Sequence, residues 1–169
     1  MLVDDYVAKL RQDQIFFGPE DKVGSIRWYI KWYRDKAPAK RKWFRAFGLV
    51  TLVTSIRLPF VIGLVPESSK APVAAFLAWI IALAGGINGF FQFNKSWQNY
   101  IETHFRLEKL LMEWELSMSA LLGKSDDDSL MKAQELTAAL VTGARAAITD
   151  ETKSYFEEVK FPNLNIETK

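Results

Sequence analysis

Two long apolar runs dominate the hydrophobic pattern of the chain. The first, AFGLVTLVTSIRLPFVIGLV at residues 46–65, carries one charge, and the second, APVAAFLAWIIALAGGINGFFQF at residues 71–93, carries none. An α-helix rises 1.5 Å per residue, so about 20 residues cross the roughly 30 Å hydrocarbon core of a bilayer. The pattern therefore predicts two membrane-spanning helices.

The linker between these runs, PESSK at residues 66–70, is too short to form a domain. Pro66 is predicted to close the first helix, and Pro72 to open the second at a position where a missing N–H costs little. Two buried helices of a soluble protein are the alternative, but a small domain rarely hides two uninterrupted apolar helices of this length. A secretory leader would not begin more than forty residues into the chain. The runs are therefore expected to form an antiparallel hairpin in a membrane.

Amphipathic periodicity follows the second run, with no Gly or Pro before Gly123, so the helix is expected to continue beyond the membrane. Its apolar stripe, at spacings of three and four, consists of Leu107, Leu110, Leu111, Trp114, Met118 and Leu121. Residues 125–128 supply N-cap candidates for a further helix that reaches about Val159. The stripe of that helix consists of Leu130, Ala133, Thr137, Leu140, Val141, Ala144, Ile148, Tyr155 and Val159. A helix around Val3, Val7 and Leu10 is predicted to join these two in a bundle.

A strip rich in basic and aromatic residues precedes the first run. RWYIKWYRDKAPAKRKWFRAF, residues 27–47, combines eight Lys and Arg with seven aromatic residues. The same mixture suits single-stranded nucleic acid, where phosphates and bases are bound together, but next to a membrane span it is typical of the headgroup layer. Pro38 is predicted to break the interfacial helix before the spanning one begins. The predicted interface anchors are Trp28, Trp32, Tyr33, Lys36, Lys40, Arg41, Trp43 and Arg45.

The distribution of Lys and Arg predicts the orientation of the hairpin. Near the ends of the spans, eight basic residues lie in residues 27–45 and Lys95, Arg106 and Lys109 follow the second span, whereas the linker has only Lys70. Because basic residues stay on the cytoplasmic side, both termini are predicted to be cytoplasmic. A multi-pass protein of the bacterial cytoplasmic (inner) membrane is expected, bound to anionic headgroups.

The predicted fold is thus an all-α integral membrane protein, a two-transmembrane helical hairpin with long cytoplasmic helices in a bundle. One membrane domain over residues 1–169 is expected, and its predicted parts are cytoplasmic and interfacial helices at 1–43, a first span at 44–65, a loop at 66–70, a second span at 71–93, a cytoplasmic helical hairpin at 94–160 and a tail at 161–169.

Composition argues against most catalytic chemistry. The chain has no cysteine and one histidine, His104, which removes thiol catalysis and most zinc sites. No phosphate-binding loop or nucleophile motif occurs, and the run Asp126–Asp128 is typical of a helix start rather than of a cation site. Glu102 is expected to pair with Arg106 along its own helix. We therefore predict no enzyme activity, catalytic residue, metal site or cofactor. The net charge of only +2 is low for a nucleic-acid-binding protein, so we predict no nucleic-acid partner either.

Small and polar residues within the spans are the candidates for assembly and conduction. Small residues let helix backbones approach each other in lipid, within the hairpin or between copies. Those predicted to pack in this way are Gly48, Ser55, Ala78, Ala82, Gly85, Gly86 and Gly89. These residues form one stripe on the first span, at Gly48 and Ser55, and a second on the other span. Arg57 points about 180° away from the first stripe, and a charge in mid-span is a functional suspect. It could snorkel to the headgroups, pair with Trp79 or a carbonyl freed by Pro59, or line a pore. Asn88 and Gln92 could bond between helices or face a vestibule.

The segments WYRDKAPAKRKWFR, WQNYIETHFRLEKLLMEW and DETKSYFEE resemble the bacterial SLATT superfamily, two-transmembrane effector domains associated with conflict systems. The resemblance covers about residues 27–160 and implies a hairpin with cytoplasmic helices that oligomerises into a membrane pore. Two spans cannot enclose water alone, so a pore requires several copies. We therefore expect a homo-oligomeric pore or ion-conducting protein, in the role of a bacterial conflict or stress effector, whose partners are lipid, further copies and ions. The alternative is a membrane-anchored scaffold or sensor whose cytoplasmic helices recruit a partner.

Overall fold

The computed structural model describes residues 3–13 and 15–158, and within them the regular elements are helical. The helices are α1 (Val3–Asp13), a 3-10 turn (Ile15–Phe17), α2 (Ile26–Leu64), α3 (Glu67–Phe91), α4 (Phe93–Ser119) and α5 (Asp127–Glu158). The predicted all-α class with two long apolar helices is confirmed for this part of the chain. Val159 and the predicted tail at 161–169 lie outside the described residues.

The predicted break at Pro38 is wrong, because α2 continues through both Pro38 and Pro59. A proline inside a helix removes one hydrogen bond of the ladder and kinks or breaks the helix, and at these two positions the helical assignment continues. Ala37, directly before Pro38, is buried and packs in the core of the bundle. Pro38 marks a different boundary, since the chain divides into two compact units between these residues.

The connection between the two apolar helices is shorter than predicted. Only Val65 and Pro66 lie outside α2 and α3, so most of the predicted loop at 66–70 is the first turn of α3. Pro66 caps this turn and accepts the Ser69 N–H at 2.9 Å, while Glu67 places its charge at the positive end of the helix dipole. Pro72 consequently lies inside α3 rather than at its start.

The helix that was predicted to continue from the second run is interrupted at one residue. Gln92 has left-handed backbone angles, φ 41° and ψ 47°, and its N–H bonds to the Asn88 carbonyl. Helical geometry resumes at Phe93 and ends at Ser119. Gly123, the predicted stop, follows a short turn and has a φ of +79°, which a residue with a side chain rarely adopts.

The first compact unit, here the bundle unit, comprises the described residues of Met1–Ala37 and Gln98–Ser154. It packs α1, the N-terminal part of α2, α4 and α5 around one apolar core. The predicted stripe of α4 faces this core, as does that of α5 from Ala133 to Ile148, whereas Tyr155 of the same predicted stripe belongs to the second unit. The predicted third member, α1, packs on this core as well. The buried core residues include Val3, Val7, Phe17, Ile26, Leu107, Trp114, Met118, Ala133, Leu140 and Ala144.

Phe17 was not among the predicted core residues. It lies in the 3-10 turn, and its ring centroid is 5.2 Å from that of Trp114. A three-residue turn has no periodicity from which the buried position could have been read.

The second compact unit, here the hairpin unit, comprises the described residues of Pro38–Trp97 and Tyr155–Lys169. It contains the remainder of α2, all of α3, the first turn of α4 and the end of α5 from Tyr155. These are the segments that carry the two apolar runs.

Candidate functional site

Both apolar helices leave much of their hydrophobic surface uncovered. In the most apolar 18-residue window of each helix, 0% of the first and 6% of the second is buried, and both windows are long and apolar enough to cross a membrane. The core helix of a soluble protein would bury most of this surface. Large exposed side chains here are Leu49, Leu52, Ile56, Phe60, Leu64, Phe76, Trp79 and Leu83.

Only one face of α3 is covered within the hairpin unit. Val73, Leu77, Ile80, Ala84 and Ile87 are buried or half-buried, at spacings of three and four residues. The rest of the helix circumference is exposed.

The predicted small-residue stripes do not lie on the covered face. Gly48, Gly85, Gly86 and Gly89 are exposed, and a Cβ atom built on any of them would meet no other atom within 4 Å. Ser55, Ala78 and Ala82 are exposed as well. These positions therefore do not pack α2 against α3 within one chain. Packing between copies, the other predicted role of these small residues, stays a prediction.

Arg57 projects from an otherwise apolar part of α2. Its side chain is exposed and has no ion pair, hydrogen bond or ring contact among the described residues. Trp79, its predicted partner, instead stacks against Phe76 at 6.3 Å between centroids. The predicted pairing with Trp79 is not formed within one chain.

The two other polar candidates lie where α3 ends. The Asn88 Oδ1 atom is buried and accepts no hydrogen bond from the described residues, which is costly for an amide oxygen. Gln92 forms the break between α3 and α4. Gln92 is thus itself the left-handed residue at this break, and Asn88 accepts its backbone N–H one turn earlier.

Cations and aromatic rings meet at the ends of the apolar helices in the hairpin unit. Lys40 Nζ lies 5.8 Å from the ring centroids of both Phe93 and Tyr155, and the Arg41 guanidinium lies 5.6 Å from that of Trp97. Such cation–π contacts hold a basic group beside an aromatic surface. Trp43 and Arg45 are exposed in the same segment, so this part of the predicted anchor strip is available to headgroups.

The other half of the predicted anchor strip belongs to the bundle unit. Trp32 is half-buried against Tyr100 at 5.5 Å, and Trp28 stacks on Trp32 at 6.4 Å. Lys36 is exposed, but Tyr33 is only 2% exposed and donates a hydrogen bond to Glu151. A side chain this deeply buried has almost no surface left for headgroups.

A polar groove runs between α4 and α5 in the bundle unit, with a cavity volume of about 180 Å³. Asn99 donates to Ser154 at 2.9 Å, and Arg106 pairs with Asp150 at 3.1 Å, so the predicted pair of Arg106 with Glu102 is replaced by one between helices. The groove is lined by Asn99, Glu102, Thr103, Arg106, Ala147, Asp150, Glu151 and Ser154.

Two titratable groups of the bundle unit, Tyr33 and His104, are held by polar neighbours. Burial, together with the neighbouring Glu151 carboxylate, raises the pKa of Tyr33 above its ordinary value, which keeps the hydroxyl protonated. His104 Nδ1 lies 3.1 Å from the Ile30 carbonyl. No group of three His, Cys, Asp or Glu side chains that could hold a metal occurs among the described residues.

The model of one protein family matches residues 29–117, more than half of the chain. That family is described as "Protein of unknown function (DUF4231)". The match begins in the basic and aromatic strip and ends in α4, so it includes both apolar helices. No curated protein and no solved structure matches the chain.

Proposed function

We propose that this chain, which belongs to the DUF4231 family, inserts its α2–α3 hairpin into a membrane and assembles with further copies into an ion-conducting pore. The membrane is a bacterial cytoplasmic membrane with anionic headgroups, and both termini face the cytoplasm. No catalytic step or cofactor is involved. The wider SLATT assignment, and with it a role as a stress effector, remains a prediction from the resemblance.

The observation that carries membrane insertion is the uncovered apolar surface of α2 and α3. Burying apolar surface is worth about 25 cal/mol per Å², so leaving two helices of this composition in water would be strongly unfavourable. Lipid removes that cost, and helical hydrogen bonds satisfy the backbone there. The cations at Lys40, Arg41 and Arg45 then lie where anionic headgroups would stabilise them.

Support for conduction comes from polar groups that a single chain leaves without partners. Arg57 has none among the described residues, and a charge in mid-span costs about 2.5–3.5 kcal/mol on insertion scales. Water in a shared pore, or groups of a neighbouring copy, would lower that cost. The exposed glycines of α3 offer a surface on which backbones of neighbouring copies approach closely.

Ion flux across liposomes tests this function. The purified full chain is reconstituted into vesicles with anionic lipid, and efflux of trapped ions is followed with and without a membrane potential. We expect flux that rises steeply with protein density. We also expect R57L to change conductance or selectivity more than R57K, with I56L, at an exposed apolar neighbour, as the matched control. An assembled protein that gives no flux under any of these conditions would exclude the pore.

A second candidate function, a membrane-anchored sensor or scaffold, is favoured by the polar groove between α4 and α5. Such a groove could receive a small polar ligand or a peptide through Arg106 and Asp150. If R57L leaves permeability unchanged while an S154L variant, which fills the groove, abolishes the cellular role, the sensor is the better description.

A further inference from the structure

The bundle unit has an apolar stripe on the outer face of α4. Phe105, Met112 and Leu116 are 60%, 55% and 63% exposed. At 100° per residue Met112 and Leu116 point about 20° to either side of Phe105, so the three side chains lie within about 40°. Leu107 and Trp114, on the opposite side of the same helix, are buried in the core. The stripe is therefore a second apolar face, about 16 Å long at 1.5 Å per residue, on a helix that already buries one.

Opposite charges border the two sides of this stripe. Glu108 lies about 50° to one side of the line through Phe105 and Met112, and Lys109 about 50° to the other. Both side chains are exposed, and their contacts within the chain are long: Glu108 lies 3.8 Å from the largely buried His104 imidazole, and Lys109 lies 3.7 Å from the exposed Glu113 carboxylate. Surface pairs of this kind contribute little, so both groups can take new partners at small cost.

We propose that the outer face of α4 is the surface through which neighbouring copies of this chain contact each other, with their α4 helices side by side and parallel. Parallel packing of this face brings Lys109 of one copy against Glu108 of the next, at nearly the same height along the helix. The apolar stripe between these charges is then buried, as in the seam of a coiled coil flanked by ionic pairs. The inference rests on the proposed assembly and adds the surface by which the cytoplasmic parts take part in it.

Charge favours a second copy over the membrane surface as the occupant. The exposed ionic residues of α4 around the stripe are Glu102, Arg106, Glu108, Lys109, Glu113 and Glu115, the last of which pairs with Arg27. Four acids and two bases give a net negative border, which anionic headgroups repel. The self-complementary pair Glu108 and Lys109 suits an identical neighbour in the same orientation.

Charge reversal tests the pairing. The full chain is purified in detergent, and its assembly is followed against concentration by sedimentation or mass photometry. E108K and K109E should each raise the concentration for half-assembly by about two- to five-fold, because each puts like charges together. The double variant E108K/K109E restores opposite charges across the contact and should return assembly to the wild-type level. Two single variants without effect, or a double variant as weak as the singles, would overturn the proposal.

Cross-linking gives an independent measurement, because the chain has no cysteine. M112C lies in the stripe, whereas A138C is exposed on α5. Under mild oxidation in vesicles, M112C should form a disulfide-linked dimer in about half or more of the chains, and A138C in fewer than about a tenth, since the bond requires Cα atoms within about 7 Å. Equal yields would refute the assigned surface.

These results also separate this inference from the proposed function. An oligomer that conducts ions but shows neither the charge rescue nor the M112C link keeps the pore and removes this interface. A wild-type chain that stays monomeric in vesicles removes both.

Discussion

The Tyr33 hydroxyl donates a hydrogen bond to Glu151 Oε2 at 3.1 Å, joining α2 to α5 across 118 residues of sequence. The tyrosine belongs to the strip that the sequence predicts to lie at the headgroup layer. The glutamate belongs to α5, which the sequence predicts to lie in the cytoplasmic bundle. The bond shows that the first part of this strip is an internal element of the bundle. Its removal should therefore loosen the bundle rather than the attachment to lipid.

Y33F removes this bond and leaves the ring in place. A hydrogen bond to a charged group contributes about 1.5–3 kcal/mol, so we expect the melting temperature of the bundle to fall by several degrees. Thermal unfolding followed by circular dichroism in detergent measures this. Y29F is the control, because the Tyr29 hydroxyl has no hydrogen bond among the described residues and its loss should change little. A drop of equal size in both variants would contradict the assignment.

The same tyrosine predicts a pH dependence in the alkaline range. Burial and the Glu151 carboxylate raise the pKa of Tyr33 in the folded chain. As pH rises above about 10, the ordinary value, the unfolded chain releases a proton that the folded chain retains, so stability falls. Wild-type protein should lose melting temperature more steeply than Y33F between about pH 9 and pH 11. Equal slopes of melting temperature against pH in the two proteins would show that the Tyr33 hydroxyl titrates alike in the folded and the unfolded chain, contrary to this prediction.

Thr137 couples α5 to the largest core side chain of α4. Its hydroxyl accepts the Trp114 Nε1–H at 3.2 Å and donates to the Ala133 carbonyl at 2.8 Å. T137V keeps the shape but leaves a buried donor unsatisfied, which costs about 1–3 kcal/mol. Denaturant unfolding followed by tryptophan fluorescence should show the loss. T152V, at an exposed threonine with the same bond to a carbonyl four residues earlier, should stay within about 0.5 kcal/mol.

Asp126 caps α5 by accepting the Ser129 N–H at 2.8 Å. Hydrogen bonds from the Ser129 hydroxyl and backbone hold the pKa of Asp126 below its ordinary value. The stabilisation is therefore complete above about pH 4 and is lost as the pH falls through the lowered pKa. D126A should melt below wild type at pH 7, and the gap should close in acid. D126N, whose amide caps without titrating, should stay close to wild type at pH 7 and keep its advantage over D126A in acid.

Local regularities of the sequence predicted the helices and their buried faces. The spacing of Leu107, Trp114 and Met118 identified the core face of α4, and that of Ala133, Leu140 and Ala144 identified the core face of α5. Apolar residues at these spacings fall on one side of a helix, and that side turns toward the core. Asp126 was found among the predicted caps for a similar reason, since a cap acts within one turn. The apolar runs likewise predicted two long helices with uncovered surfaces.

Contacts between distant segments depended on the tertiary structure. Tyr33 was assigned to lipid because its neighbours are basic and aromatic, whereas α5 supplies it with a hydrogen-bond partner. Arg106 has a suitable acid on its own helix in Glu102 and pairs instead with Asp150. Pro38, which alone would predict a break, lies inside a continuous helix directly after the buried Ala37. The sequence by itself determined which faces are apolar, since periodicity is a local property. Only the tertiary structure decided which polar group meets which, because such pairing depends on distances in space that sequence separation does not encode.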